Sequence, residues 1–200
     1  MMAGAALESP WLACLEFHSV TRERWADLEQ LFGPHGAYSG CWCMWWRLSR
    51  AEFGRQSGEQ RRAGLKELVD LGHAPGILAC LENEPIAWVS IAPRESYPAL
   101  ERSRTLKRVD DQPVWSIVCF FVARPYRGRS LMVELLRGAV AYAAQQGARI
   151  VEAYPVDPGE RTVHGSTEGY MGLISAFRRA GFVEVARRSP RQAVMRYVFD

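Results

Sequence analysis

The sequence predicts one α/β (α+β) domain, a mixed central sheet of about six to seven strands flanked by helices. Three observations predict it. The 200 residues are 48% hydrophobic and 24% charged, enough to bury one sizeable core without calling for a second. An apolar, β-branched and aromatic run over residues 114–122 passes through a turn holding Pro125 and Gly128 into an amphipathic helix that stops at Gly147. A further strand follows at 149–154, and short apolar runs bounded by turn residues lie on both sides of this unit. The domain is expected over residues 12–200, after a flexible start at 1–11.

Taken in order, residues 11–20 alternate enough for a first strand. Thr21 is expected to cap a helix running to Leu31, with Glu23 and Asp27 near its positive end. Next come Cys41, Trp42, Cys43, Met44, Trp45 and Trp46, a cluster costly to leave in water. It must pack on something. His35, Cys41 and Cys43 are metal-capable donors, but no second ligand pair follows at zinc spacing, and no metal is expected. Residues 57–71 have the apolar stripe of an amphipathic helix closed by Gly72, and runs at 76–82 and 85–92 form a hairpin split around Asn83. Residues 93–113 are polar and long for a connection, as a lid or binding loop would be. Arg94, Glu95, Tyr97, Glu101, Asp110 and Asp111 are its chemically capable groups. Glu152 stands in an otherwise apolar strand, so it is either paired or raised in pKa. A Gly/Pro-rich loop with His164, a helix over 170–180 stopped by Gly181, and closing strands at 182–186 and 193–198 complete the chain.

Composition narrows the function classes. A net charge of +3 and a pI near 8.7 are too mild to imply nucleic acid, and no Lys/Arg block or basic helix stripe occurs. No apolar stretch is long enough to span a bilayer, and residues 1–10 lack the basic start and apolar core of a secretory signal, so neither a membrane partner nor export is expected. Five cysteines at irregular spacing argue against a disulfide framework and fit a reducing, cytoplasmic setting.

The chemistry is expected at the turn after residue 122. A strand feeding a basic turn that opens a helix gathers free backbone N–H groups, the positive helix end and the Arg124, Arg127 and Arg129 guanidinium groups, which suits phosphate. No Gly-Lys-Ser/Thr and no Gly-x-Gly-x-x-Gly follows, so the two common nucleotide loops are absent. The run Arg127-Gly128-Arg129-Ser130-Leu131-Met132, with its flanking strand, helix and next strand and the terminal Ala180-Gly181-Phe182, resembles the GNAT superfamily of N-acetyltransferases. That signature reads Arg/Gln-x-x-Gly-x-Gly/Ala, and Ser130 and Met132 depart from it.

The resemblance implies an acetyl-CoA-dependent N-acetyltransferase with direct transfer to the amine of a small or amino-acid-like acceptor. In that frame Arg127, Gly128, Arg129, Ser130, Leu131 and Met132 hold the pyrophosphate, and main-chain groups of Phe120 and Val122 face the pantetheine arm where two strands splay. Trp42, Trp45 and Trp46 fall in the region that lines acceptor pockets in the family, with ordinary core as the equal alternative. The family's acid, a Tyr, is replaced by Phe177, and its strand base by Ser116. Glu152 and Tyr170 are left as the catalytic candidates. Cys119 is a nucleophile only in principle, since a strand-buried thiol is normally inert. The missing acid and base also fit a different class, a catalytically weak acyl-CoA-binding sensor or regulatory module. Closing strands in such domains often pair across a two-fold axis, so a homodimer stays open.

Overall fold

Glu82 and Asn83 take φ of 52° and 67°, the left-handed pair that a two-residue hairpin turn requires, and they join β2 (Ile77–Leu81) to β3 (Glu84–Pro93). Around this hairpin lie β1 (Leu15–Ser19), β4 (Trp115–Val122), β5 (Ile150–Ala153), β6 (Val183–Ser189) and β7 (Gln192–Val198). The computed structural model describes residues 10–159 and 169–199. In it the seven strands form one sheet in the order β1-β2-β3-β4-β5-β7-β6. Only β4 and β5 are parallel; every other neighbouring pair is antiparallel. The helices are α1 (Trp25–Phe32), α2 (Arg50–Arg55), α3 (Gly58–Asp70), α4 (Pro98–Glu101), α5 (Leu131–Gln145) and α6 (Ile174–Arg179).

Both faces of the sheet are covered, which is why β3 is buried without interruption from Pro85 to Ala92 rather than alternating. On one face α5 lays Leu131, Leu135, Leu136 and Ala139 on Ile117, Phe120 and Val89, with Phe177 of α6 beside them. On the other, Leu28 and Phe32 of α1 and Leu65 and Val69 of α3 pack with Trp42, Cys43 and Trp88. A third cluster of Trp46, Tyr97, Leu100, Val118, Tyr154 and Met171 adjoins that second core. Burying a side chain of this size contributes roughly 1.5–3 kcal/mol, so these clusters are the main force holding the layers together.

Close approach is tightest where the chain enters β2. A Cβ on Gly76 would lie 2.1 Å from the Val89 carbonyl oxygen and 2.6 Å from the Trp88 ring. Backbone cannot step aside there, so Gly76→Ala is expected to cost about 2–3 kcal/mol. The loss would read as a lower urea midpoint at unchanged slope, whereas an unchanged midpoint would show that β2 and β3 part locally.

Several boundaries move from those the sequence suggests. The first strand shortens because Pro10–Cys14 forms a 3₁₀ turn. Thr21 is not a cap: α1 starts four residues later, with Arg24 at the N-cap and no side-chain cap bond. The helix expected over 170–180 begins at Ile174, leaving Tyr170 in the turn before it. Helix α2 has no counterpart among the elements expected from the sequence, although its Ser49-x-x-Glu52 capping box is legible: Glu52 N–H donates to Ser49 Oγ and Ser49 N–H to Glu52 Oε2. His164 lies outside the described residues.

Candidate active site

The site is built from the point where β4 and β5 part company. Their parallel pairing covers Trp115 with Val151, Ser116 with Glu152 and Ile117 with Ala153, and then ends while β4 runs on to Val122. On its other edge β4 keeps its bonds to β3, with one extra residue: Ser90 pairs with Cys119 and Ile91 with Ile117, so Val118 is bulged. Such a bulge sharpens local twist and turns the end of β4 away from β5. It also sorts the side chains. Ile117 and Phe120 face α5, while Val118, Cys119 and Phe121 face the aromatic side.

Beyond β4 the backbone takes one 3₁₀ turn, Arg124–Tyr126, then positive φ at Gly128 (73°) and Ser130 (60°), before α5. Ser130 therefore occupies a left-handed conformation that costs a non-glycine residue about 1–2 kcal/mol. Its hydroxyl makes no capping hydrogen bond to α5. As a result the first N–H groups of a 15-residue helix point outward with no side-chain acceptor, and Arg127, Gly128, Arg129 and Ser130 are all exposed. Leu131 is buried and Met132 packs against the α5-side core, so Met132 turns away from the turn rather than crowding it. Arg127 Nε donates to the Val122 carbonyl at 2.8 Å, bracing the turn on the strand. Among the described residues Arg124 and Arg129 make no ion pair, and both are exposed.

The gap between the diverging strands is bridged by the chain itself. Phe120 N–H, expected to be open, donates to the Tyr170 carbonyl at 2.7 Å. Val156 N–H donates to the Gly172 carbonyl, and Ile174 N–H returns to the Val156 carbonyl. Residues 170–174 thus form a strap hydrogen-bonded to both arms. The same strap carries the Tyr170 phenol to the aromatic side, near Cys119, Cys41 and Arg50. Burial there pushes its pKa up to about 12. The Trp46 indole opposes part of that rise, and its buried N–H has no hydrogen-bond partner among the described residues.

Glu152 is not available for acid–base work. It is buried in β5 and paired in register with Arg196 of β7, whose Nε donates to Oε2 at 2.8 Å. Oε1 accepts from Arg94 Nη1 and from the Tyr154 hydroxyl, both at 2.8 Å. Both oxygens are taken. Tyr154 is pushed well above its usual pKa by burial and then by the Glu152 charge, so it remains a phenol and shares a hydrogen bond with Ser116 Oγ. Arg94 also reaches Glu101 and the Leu106 carbonyl, and Arg196 reaches Asp110. The segment expected to be a lid is therefore pinned to the sheet through Arg94 and Asp110.

The aromatic cluster divides. Trp42 is core: it stacks on Trp25, meets Phe32 edge-on, and its indole would collide with any Cβ at Gly36, 2.2 Å away. Trp46 is buried with Tyr97 and Tyr154 in the third cluster. Trp45 alone is partly exposed, and the Arg50 guanidinium stacks over its ring at 3.6 Å, already occupying a face that a cationic ligand would use. Two surface concavities, about 390 and 450 Å³, lie along α3 and the loop before Trp42, and neither is lined by β4, β5 or α5. Among the described residues no three His, Cys, Asp or Glu side chains converge to hold a metal ion.

Comparison with known families decides the identity of this arrangement. The acetyltransferase (GNAT) family profile matches residues 41–164, more than half of the chain. The chain belongs to the GNAT acetyltransferase family. Solved structures agree on the fold of this GNAT domain. An acetyltransferase of the GNAT family from Listeria monocytogenes superposes with a TM-score of 0.56 at 11% identity, over 92% of this chain and 95% of that one. The yncA protein from Salmonella typhimurium, a putative acetyltransferase solved with acetyl-CoA, gives 0.52 at 12% identity, over 94% and 95%. AAC(6')-Ib, solved with paromomycin and acetyl-CoA, gives 0.54 at 18% identity, over 92% and 93%. No curated protein sequence matches. Sequence reasoning missed the Arg94–Glu152–Arg196 cluster, for which two lone charges in apolar strands, Glu152 and Arg196, were the available signal.

Proposed function

We propose that this GNAT domain is an acetyl-CoA-dependent N-acetyltransferase that transfers the acetyl group directly to the amine of a small or amino-acid-like acceptor. The observation that supports it most is the turn at residues 127–132, where uncapped α5 N–H groups follow a basic turn whose Arg124 and Arg129 have no ion-pair partner among the described residues. Those groups fit a pyrophosphate, and the parting of β4 from β5 leads from it to the aromatic side. Acetyl-CoA supplies an acyl group activated as a thioester. Phe120 N–H lies on β4 beyond the end of its pairing with β5, and it can meet a thioester oxygen once the Tyr170 carbonyl releases it. Val122 N–H, on the same edge of β4, has no partner among the described residues beyond β3. Tyr170, protonated throughout the neutral range, offers a hydrogen bond to the departing sulfur. Neither Glu152 nor Ser116 can take the proton of the attacking amine, so that proton leaves through water.

Titration calorimetry with acetyl-CoA tests this reading. Micromolar affinity is expected, weakened about fivefold to tenfold by Arg129→Ala and by Arg124→Ala, since each removes a charge-assisted contact. Wild-type protein that does not bind would end the proposal. A second reading, an acyl-CoA-binding sensor with weak catalysis, is favoured by Phe177 in the acid's place, Ser116 bonded to Tyr154, and a Phe120 amide already occupied. Release of free thiol across a panel of amines separates the two: steady turnover favours the transferase, binding without turnover the sensor.

A further inference from the structure

Three of the five thiols meet at the parting point of the sheet. Cys43 Sγ lies 3.6 Å from Cys119 Sγ, and the Cys41 thiol also interacts with Cys43. The sulfur of Cys43 is held in place by the Trp88 indole, whose Nε1–H donates to it at 3.1 Å. Its backbone is held less comfortably, with φ of 45° at Trp42 and 52° at Cys43, both in the left-handed region. Cys119 follows the bulged Val118 and precedes Phe120, so its side chain stands beside the proposed acyl-transfer centre, on the face shared with Tyr170. Cys43 is buried, whereas Cys119 is partly exposed, and Cys14 is exposed and remote from the cluster.

We propose that Cys43 and Cys119 are a redox pair: a hydroperoxide converts them to a disulfide that ties the Cys43 loop to β4 and suppresses acetyl-CoA binding, and a thiol reductant reverses it. The proposal rests on the reading of the β4–β5 parting as the acyl-CoA site. The step balances. The Cys119 sulfur attacks the peroxide oxygen, giving a sulfenic acid and one water from hydrogen peroxide. The Cys43 sulfur then attacks the Cys119 sulfur, the S–S bond forms, the S–O bond breaks, and a second water leaves with the Cys43 proton. Two thiols are oxidised by two electrons as one peroxide is reduced. The hydrogen bond to Cys119, and then burial, hold the Cys43 thiol well above its usual pKa, which fits it to resolve rather than to attack first. A disulfide needs sulfurs about 2.05 Å apart, so closure draws the two segments together by about 1.5 Å. A displacement of that order beside reacting groups costs up to about 10²-fold in rate. Cys41 and Cys43, two residues apart, would close a far tighter ring and are the less favourable pair.

The test treats the full chain with hydrogen peroxide, maps disulfides by non-reducing peptide mass spectrometry, and follows acetyl-CoA affinity by calorimetry before oxidation, after it, and after dithiothreitol. Expected are a Cys43–Cys119 cross-link, at least tenfold weaker acetyl-CoA binding, and full recovery on reduction. Cys119→Ser should bind acetyl-CoA and ignore peroxide, while Cys14→Ser should respond as wild type. Oxidation confined to Cys14, a cross-link through Cys41 only, or a Cys43–Cys119 bond with undiminished affinity would each overturn the proposal. Fully reduced protein that fails to bind acetyl-CoA would instead remove the acyltransferase reading, and with it the gating claim.

Discussion

Glu152→Ala is expected to destabilise the fold by about 3–5 kcal/mol, because it leaves two guanidinium groups facing each other across the space one carboxylate filled. Arg94 is 1% exposed and Arg196 7%, so water cannot replace the lost charge cheaply. In a chain of this size each kcal/mol lowers Tm by about 2–4 °C. Arg94 would keep Glu101 and Arg196 would keep Asp110, but both of those carboxylates stand partly in solvent and serve the outer side of the cluster. Pairing the change with Arg94→Met should recover part of the loss, since removing both members of a buried pair costs less than removing one. The alternative, Glu152 as general base, makes the opposite forecast: near-normal Tm, with a lost acidic limb in the pH profile of kcat.

Tyr170→Phe is expected to lower kcat about 10²-fold while leaving acetyl-CoA affinity near wild type, because in the proposed reaction the hydroxyl serves the departing sulfur and not the bound carrier. With its pKa pushed up to about 12, the phenol stays protonated across the accessible pH range. The wild-type profile should accordingly show no falling limb from this group below about pH 11. Complete proton transfer from so weak an acid to a thiolate is uphill, so the proposed role is a hydrogen bond, with the proton reaching the sulfur through water. Unchanged kcat in Tyr170→Phe would remove the side chain from the mechanism. The strap would still matter through its backbone, since the Tyr170 carbonyl holds Phe120 N–H whatever the side chain is.

Strand, turn and helix around Gly128 were readable along the chain because each is a local matter. Val, Ile and Phe in succession make β4, Gly147 stops α5 soon after Gln145, and an acidic hairpin turn joins β2 and β3. A mixed sheet of about six to seven strands followed from those local signals, as did the GNAT family, and the expectation of a phosphate-suited turn rests on them too.

Tertiary structure alone decided what the reactive side chains do. Glu152 looks like a poised carboxylate in RIVEAY until β7 brings Arg196 opposite it and the post-β3 turn brings Arg94 beneath it, 58 residues away in the chain. Trp42, Trp45 and Trp46 look alike in sequence, yet one stacks in the core, one is buried beside Tyr97, and one is roofed by Arg50. Cys43 and Cys119, 76 residues apart, show no relation until β4 places their sulfurs in contact. Backbone preference is set within a few neighbours, whereas a charge, a ring or a thiol takes its role from whatever distant segment is packed against it.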